Sequence, residues 1–262
     1  MSLRSHVGAL RRTVLCSLYR RTVPLGSLGP IVSFSFDDFP RTAYSVGGGI
    51  LEEFGVRGTY YVAAGLMNTS GELGDQFHAD DLQSVMKKGH ELGNQTFHHS
   101  SSRSLSLSAF RDDVERGKQA LKDLTGVEAT NFAYPYGHAT LRSKKTLGPT
   151  LTSSRSNFSG LNGPDIDLNL LRANRLYGDL EQSKSAEELI LENVAQKSWL
   201  LFYTHDVRPN PSAYGCTAAL FESVVSFAAR SGSRILTVQE VLSEVGAQNA
   251  CTKGQAQCAG LR

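Results

Sequence analysis

The fold of this chain is decided by a short stretch, IVSFSFDD, at residues 31–38. Its first six residues are apolar or small, so they predict a buried strand, and this strand runs directly into two aspartates. Similar strand patterns follow at 59–63, 130–134 and 199–204, with helical patterns between them. About seven strand–helix repeats of this kind predict an α/β domain with a parallel sheet buried under helices. Periodicity alone leaves open whether the sheet closes into a barrel.

One domain accounts for most of the 262 residues. We expect a basic N-terminal extension at 1–28, the domain itself at 29–245 and a flexible, polar C-terminal tail at 246–262. The weaker strand patterns lie at 91–96, 150–154, 170–176 and 234–236. The helical patterns lie at 46–54, 79–88, 108–124, 186–196, 218–230 and 238–245.

Charge and hydropathy exclude several classes of protein. The formal net charge is only +2, which gives no support for a nucleic-acid partner. No stretch reaches the ~20 apolar residues of a membrane helix, so we expect no transmembrane segment. Five arginines between Arg4 and Arg21 interrupt the apolar runs there, so the start of the chain is a poor secretory signal and a cytoplasmic location is favoured. A solvated extension or a helix lying on the domain is favoured over attachment to an anionic membrane surface.

The four cysteines do not form a metal-binding pattern. No pair has the C-x-x-C spacing of a zinc site. Cys251 and Cys258 either close a short loop in the tail under oxidising conditions or remain free thiols, and the second alternative is favoured.

Polar clusters follow four of the predicted strands, and the carboxyl ends of strands are where reactive groups gather in such folds. The clusters are Asp37-Asp38, residues 95–99, residues 134–137 and His205-Asp206. Adjacent carboxylates repel each other unless a cation or hydrogen bonds compensate, and neutral imidazole is a preferred ligand of zinc. Taken singly, each cluster is also typical of a turn, a helix cap or a surface loop.

Together, these segments resemble the polysaccharide deacetylases, the NodB-homology group of carbohydrate esterases, over roughly residues 31–242. The matching stretches are SFDDF at 35–39, KGHELGNQTFHH at 88–99, FAYPYG at 132–137 and LFYTH at 201–205. The resemblance implies a distorted (β/α) barrel and a metal-dependent hydrolase that removes an N-acetyl or similar N-acyl group from an amino sugar in a saccharide. The implied cofactor is a divalent metal, with zinc favoured over cobalt or nickel.

The resemblance also implies roles for individual residues. Asp37 corresponds to the general base, and Asp38 and His99 to metal ligands. His205 corresponds to the general acid that protonates the leaving amine. The backbone N–H of Tyr136, presented by the turn at Pro135, corresponds to an oxyanion donor, and the Tyr136 ring is a candidate to stack on a sugar.

Two departures from the family pattern bear on these roles. Gln95 stands where the family has its first metal histidine, so the metal is held weakly by Asp38, Gln95 and His99, or the site recruits the adjacent His98, or it has lost its metal. An arginine that orients the base in the family is an alanine here. We expect Arg155 to supply that charge from the next strand.

Two residues are candidates for the carboxylate that orients His205. We expect Asp167, and Asp165 is nearly as good a candidate. Two alternative functions stay open, the first of them because of Gln95 and the alanine at position 133. One is a non-catalytic carbohydrate-binding relative, and the other is a cyclic imide or ureide hydrolase on the same fold. The sequence does not predict the oligomeric state.

Overall fold

The computed structural model describes residues 11–259, with side chains through residue 248. Its centre is a sheet of seven parallel strands, and an eighth short strand, β12, pairs with β2. The seven strands are, in spatial order, β10 (Asn174–Arg175), β11 (Trp199–Thr204), β2 (Ile31–Asp37), β3 (Thr59–Val62), β6 (Glu91–Asn94), β7 (Asn131–Ala133) and β8 (Ser153–Arg155). The outlying strand β12 covers Arg234–Ile235.

The sheet curls into a half-barrel, so the predicted α/β fold is confirmed. Its longest pairing joins β11 to β2 over six residue pairs, from Trp199–Ile31 to Thr204–Phe36. The edge strand β8 is continued by the chain just before β10, because Ser154 donates to the carbonyl of Leu168 and accepts from the N–H of Leu171.

Besides the helical residues 11–17, the described part of the chain has seven α-helices, mostly on the outer face of the sheet. They are α1 (Gly49–Glu53), α2 (Ala79–Lys87), α3 (Leu107–Thr125), α4 (Leu141–Leu147), α5 (Ser183–Gln196), α6 (Ala218–Arg230) and α7 (Val238–Ala259). Apolar side chains that alternate along β2 and β11 meet α6 in the main core, where Phe34 contacts both Phe202 and Phe221. Burial of such aromatic side chains fixes the strands whose ends carry the polar clusters.

The described part of the predicted N-terminal extension packs on the domain. Residues 11–17 are helical, and Leu15 is buried in a core cluster with Phe110 and Phe132. Next, β1 (Thr22–Pro24) pairs antiparallel with β9 (Asp165–Asp167). We expected either a solvated extension or a helix lying on the domain, and residues 11–17 form such a helix.

Several boundaries differ from the predicted ones. Helix α7 runs to Ala259, so the predicted end of this helix at Val245 is wrong, and helix continues into residues predicted as a flexible tail. The pairs β1–β9 and β4–β5 (Ser70–Gly71 with Gly74–Asp75) were not predicted, because two or three residues carry no periodic pattern. The side chains of Cys251 and Cys258 lie outside the described residues. Along residues 11–259, no helix is both long and apolar enough to cross a membrane.

Candidate active site

The four polar clusters meet at one edge of the sheet. Asp37 is the last residue of β2, and the other clusters directly follow β6, β7 and β11, which lie on either side of it. The backbone is strained at this edge: Asp38, Thr96, His99 and Tyr136 all have φ between 56° and 65°. Non-glycine residues adopt this left-handed conformation at a cost of about 1–3 kcal/mol, and such strain clusters at functional sites.

Asp37 is held by a buried arginine. Arg155, at the end of β8, donates from Nη2 to Asp37 Oδ1, and only 2% of its side chain is exposed. Its guanidinium carbon lies 4.8 Å from the ring centre of Tyr61 and 5.0 Å from that of Tyr203. Burial would lower the pKa of Arg155, but the Asp37 carboxylate outweighs it and leaves that pKa above its ordinary value. Arg155 therefore makes the contact with Asp37 that the sequence predicts for it and that the alanine at position 133 cannot make.

The second aspartate faces a histidine. Asp38 Oδ1 lies 2.9 Å from His99 Nε2. The two atoms are not aligned as a hydrogen bond, and no other described residue donates a hydrogen bond to this buried oxygen. Burial would raise the pKa of Asp38, but the contact with His99 and the positive charges of His99, His205 and Arg155 outweigh it and lower that pKa. Asp38 is thus a buried carboxylate that is poised for a cation.

Gln95 binds the backbone of Asp38. Its Oε1 accepts the backbone N–H of Asp38 at 2.9 Å, and its side chain is buried. Because an N–H can only donate, the amide oxygen must be the atom on this side. The oxygen that would ligate a metal is therefore already committed to the backbone.

The donor set fits a divalent metal only in part. Asp38 offers an orphaned buried oxygen and His99 an imidazole nitrogen beside it, and both are suitable zinc donors. Residues 11–248 contain no group of three or more histidine, cysteine, aspartate or glutamate side chains arranged around one metal position. With only two strong protein donors, and with the Gln95 amide oxygen already hydrogen-bonded to the backbone, we expect a low metal affinity.

His98 is not part of this group. Its Nδ1 lies 2.6 Å from Oδ1 of Asp113 on α3, and its Nε2 lies 3.4 Å from Arg116. The expectation that the site recruits His98 as a metal ligand is therefore wrong, whereas a role of His98 in substrate binding stays a prediction. The left-handed backbone at His99 and the salt bridge to Asp113 send the two neighbouring imidazoles in different directions.

His205 follows β11 on the other side of Asp37. Its Nδ1 lies 3.0 Å from the carbonyl oxygen of Tyr214, and its backbone N–H donates to the same oxygen at 3.2 Å. The expected pairing of His205 with Asp167 is wrong. Asp167 accepts from Nζ of Lys144 at 2.7 Å and from the backbone N–H of Arg21 at 3.1 Å, so it anchors the N-terminal segment instead.

The Pro135–Gly137 turn borders the Asp38–His99 pair. Tyr136 is 59% exposed, and its ring centre lies 4.6 Å from that of His99. The turn is held by Asn157, which donates to the carbonyl of Tyr136 at 3.1 Å. A Cβ at Gly137 would approach Asn157 to 2.1 Å, so the turn requires a glycine there.

Sequence reasoning did not predict a group of tyrosines around His205. The ring centres of Tyr177, Tyr203 and Tyr214 lie 5.9, 6.4 and 5.7 Å from the imidazole. Tyr203 stands two residues before His205 on a strand, so the period of two places both on one face and is a signal that could have found it. No local pattern marks Tyr177 or Tyr214, which are brought here by loops.

Comparison with known proteins finds one family and a shared fold. The model of the polysaccharide deacetylase family matches residues 27–148, which hold the Asp37, His99 and Tyr136 segments but not His205. A bifunctional xylanase/deacetylase of Pseudobutyrivibrio xylanivorans is 20% identical over 217 residues, or 82% of this chain. The chain spans 31% of the length of that relative.

Two solved structures share the fold. The peptidoglycan deacetylase PdaC of Bacillus subtilis superposes with a TM-score of 0.52 and 18% identity, covering 88% of this chain and 98% of that one. A family 4 acetyl xylan esterase of Clostridium thermocellum, in complex with a cobalt ion, gives a TM-score of 0.53 and 15% identity, covering 81% and 90%. These likenesses establish the fold.

The predicted resemblance to the polysaccharide deacetylases is therefore confirmed, in the family match as in the NodB-like half-barrel. The enzyme class that the sequence predicts, hydrolases of carbon–nitrogen bonds other than peptide bonds, is the class of this family.

Proposed function

We propose that this chain removes an N-acetyl or similar N-acyl group from a saccharide, with Asp37 as general base and His205 as general acid. The observation that carries the proposal is the convergence of two carboxylates and two imidazoles at one edge of the sheet. Asp37 is fixed by Arg155, Asp38 faces His99, and the charge of His205 acts on Asp38. The family match and the deacetylases among the structural relatives support sugar deacetylation as the reaction.

Hydrolysis of an amide needs a proton removed from water and a proton delivered to nitrogen. Asp37 has one oxygen bound to Arg155, which leaves the carboxylate in place to accept the proton of the attacking water. The Nδ1 of His205 is bound to a carbonyl, so its Nε2 is the atom that gives a proton to the departing amine. Each positioned group of this kind typically contributes ~10²–10⁴ in rate.

Asp38 and His99 are the residues that would hold a divalent metal. Such an ion, when bound, polarises the acyl carbonyl and acidifies water. The backbone N–H of Tyr136 is our candidate for the oxyanion donor, because its turn stands directly beside His99. The exposed ring of Tyr136 offers an apolar face to a sugar.

Acetate release from a substrate panel tests the proposal. The panel holds N-acetylated chito-oligosaccharides, O-acetylated xylan and hydantoin as a cyclic ureide, each assayed with zinc, cobalt or nickel added. We expect acetate from the chito-oligosaccharides, and a loss of ~10²–10⁴ in the Asp37→Asn variant. The matched control is Asp112→Asn, which makes the same change at an exposed carboxylate paired with Arg111.

Each other outcome contradicts the proposal in a distinct way. Saccharide binding without acetate release would indicate the non-catalytic relative. Hydantoin hydrolysis alone would indicate the ureide hydrolase, and acetate from xylan alone would indicate an esterase. Equal turnover by Asp37→Asn and the native chain would remove Asp37 from the reaction.

A further inference from the structure

The loop after His205, residues 206–217 between β11 and α6, is organised around one buried carboxylate. Asp206 is fully buried. Its Oδ2 accepts the backbone N–H of Ser212 at 2.8 Å and its Oδ1 accepts the Ser212 hydroxyl at 2.5 Å. Arg208 Nε lies 2.7 Å from Oδ2, and the Asp206 carbonyl accepts the N–H of Cys216 at 2.9 Å. One side chain thus ties the middle of the loop to its beginning.

This arrangement fixes the backbone of Tyr214. The Ser212 hydroxyl accepts the Tyr214 N–H at 3.1 Å, and the Ser212 carbonyl accepts the Gly215 N–H at 3.2 Å. A Cβ at Gly215 would lie 2.4 Å from both the carbonyl oxygen and Oδ1 of Asp206, so only glycine permits this close approach. The carbonyl of Tyr214 is consequently held against Nδ1 of His205.

The contact decides the protonation pattern of the neutral imidazole. A carbonyl oxygen can only accept, so the His205 Nδ1 at 3.0 Å must carry a hydrogen. The same carbonyl accepts the backbone N–H of His205, which fixes the imidazole relative to its own main chain. Nε2 is then the one ring nitrogen left for the substrate.

We propose that Asp206 is a positioning residue for the general acid. It holds the Tyr214 carbonyl against Nδ1, which keeps a hydrogen on that nitrogen. The protonated imidazole then gives its Nε2 hydrogen to the leaving nitrogen and is left as the neutral Nδ1–H tautomer. The loop does here, through its backbone, what a carboxylate on the imidazole does elsewhere. The consequence for catalysis rests on the proposed function, whereas the tautomer does not.

The tautomer can be read directly by NMR. Protein with ¹⁵N-labelled histidine is recorded by long-range ¹H–¹⁵N correlation at a pH of about 8, where neutral imidazole dominates, and the His205 signals are assigned from their loss in His205→Gln. We expect the native chain to show Nδ1–H, and Asp206→Asn to show a mixture with Nε2–H. Turnover of the N-acyl saccharide should fall by about 10–100-fold in Asp206→Asn.

Two further variants complete the test. Asp112→Asn makes the same change at an exposed carboxylate of α3 and should leave both the tautomer and turnover unchanged. If Asp206→Asn does not fold, Ser212→Ala keeps the carboxylate but removes the hydroxyl that binds both Asp206 and the Tyr214 N–H, and it should give the same mixture of tautomers.

The outcomes separate the two proposals. An unchanged Nδ1–H tautomer in folded Asp206→Asn and Ser212→Ala overturns the role of Asp206, whatever the activity. A native chain that releases no acetate overturns the proposed function, while the NMR result still decides whether Asp206 sets the tautomer. A shifted tautomer with undiminished turnover overturns the catalytic consequence.

Discussion

The base side and the acid side of the candidate site are built in different ways. Asp37 is held by the side chain of Arg155, and both are buried at the ends of parallel strands. The guanidinium of Arg155 lies near the rings of Tyr61 and Tyr203. His205 is half-buried and is held by a backbone carbonyl on a loop. The base therefore depends on a buried charge pair, and the acid on the shape of a loop.

This difference predicts different responses to substitution. Removing one partner of a buried charge pair leaves the other charge uncompensated, which costs stability as well as activity. Changing the loop alters the orientation of His205 but leaves Asp37 paired with Arg155. The variants below break or sharpen that contrast.

The largest effects are expected for the two residues that move protons. Asp37→Asn and His205→Gln should each lower kcat/KM for an N-acetylated oligosaccharide by ~10²–10⁴, because each removes one step of proton transfer. The assay is acetate release under saturating metal, with circular dichroism to show that both variants fold. A wild-type rate in either variant would contradict its assigned role.

Breaking the buried pair should have the next largest effect, and it acts on stability. Arg155→Met leaves Asp37 buried and unpaired, so its free energy of unfolding should fall by about 3–5 kcal/mol. The double variant Asp37→Asn/Arg155→Met removes both charges and should recover much of that loss. Urea denaturation measures both, and a double variant as unstable as the sum of its single variants would show that the pair is not coupled.

Gln95→His should raise metal affinity. Replacing a committed amide oxygen by imidazole supplies a third strong donor beside Asp38 and His99, so zinc affinity should increase at least about tenfold. Isothermal titration calorimetry is the measurement. His98→Ala is the control, since His98 is bound to Asp113 and its loss should not change zinc affinity. Unchanged affinity in Gln95→His would contradict the assignment of Asp38 and His99.

The smallest expected effect concerns a buried histidine outside the site. Burial lowers the pKa of His90 below its ordinary value of 6.5, although the nearby Glu52 opposes this. Its Nδ1 accepts the N–H of Gly58 at 3.0 Å, a contact that protonation would abolish. The lowered folded-state pKa means that stability is present above pH 6.5 and is lost as pH falls through the folded-state value.

The check is the urea midpoint of the native chain and of His90→Asn between about pH 7.5 and 5.5, since this range spans the ordinary histidine pKa. The native chain should lose more stability over this range than the variant, which has no imidazole at that position. Equal losses would assign the acid sensitivity to other groups.

The sequence predicted the base side better than the acid side, for a physical reason. The resemblance implied an arginine near Asp37 that the alanine at position 133 cannot supply, and Arg155 was expected because it follows the next strand along the chain. The sheet fixes where such strand ends lie. The partner of His205 is a main-chain carbonyl, which every residue possesses, so no side-chain pattern marks Tyr214. The expectation fell instead on Asp167, a carboxylate that anchors the N-terminal segment.

The fold shows the same division. Long, apolar elements such as β11 and α6 were predicted with their correct ends, because burial imposes a clear period. The short pairs β1–β9 and β4–β5 were missed, since they depend on partners distant in the chain. The hydrogen bond from the Asp38 backbone N–H to Gln95 was missed for the same reason, because it joins residues 57 positions apart in the sequence.

The most direct test of two separate proton-transfer roles uses two leaving groups. An aryl acetate departs as a phenoxide and needs no general acid, whereas an N-acetyl sugar must leave as a protonated amine. Rates for both substrates are measured with the native chain, Asp37→Asn and His205→Gln. We predict that Asp37→Asn loses activity on both substrates and that His205→Gln loses it mainly on the amide. Equal losses on both substrates in His205→Gln would contradict its role as the acid.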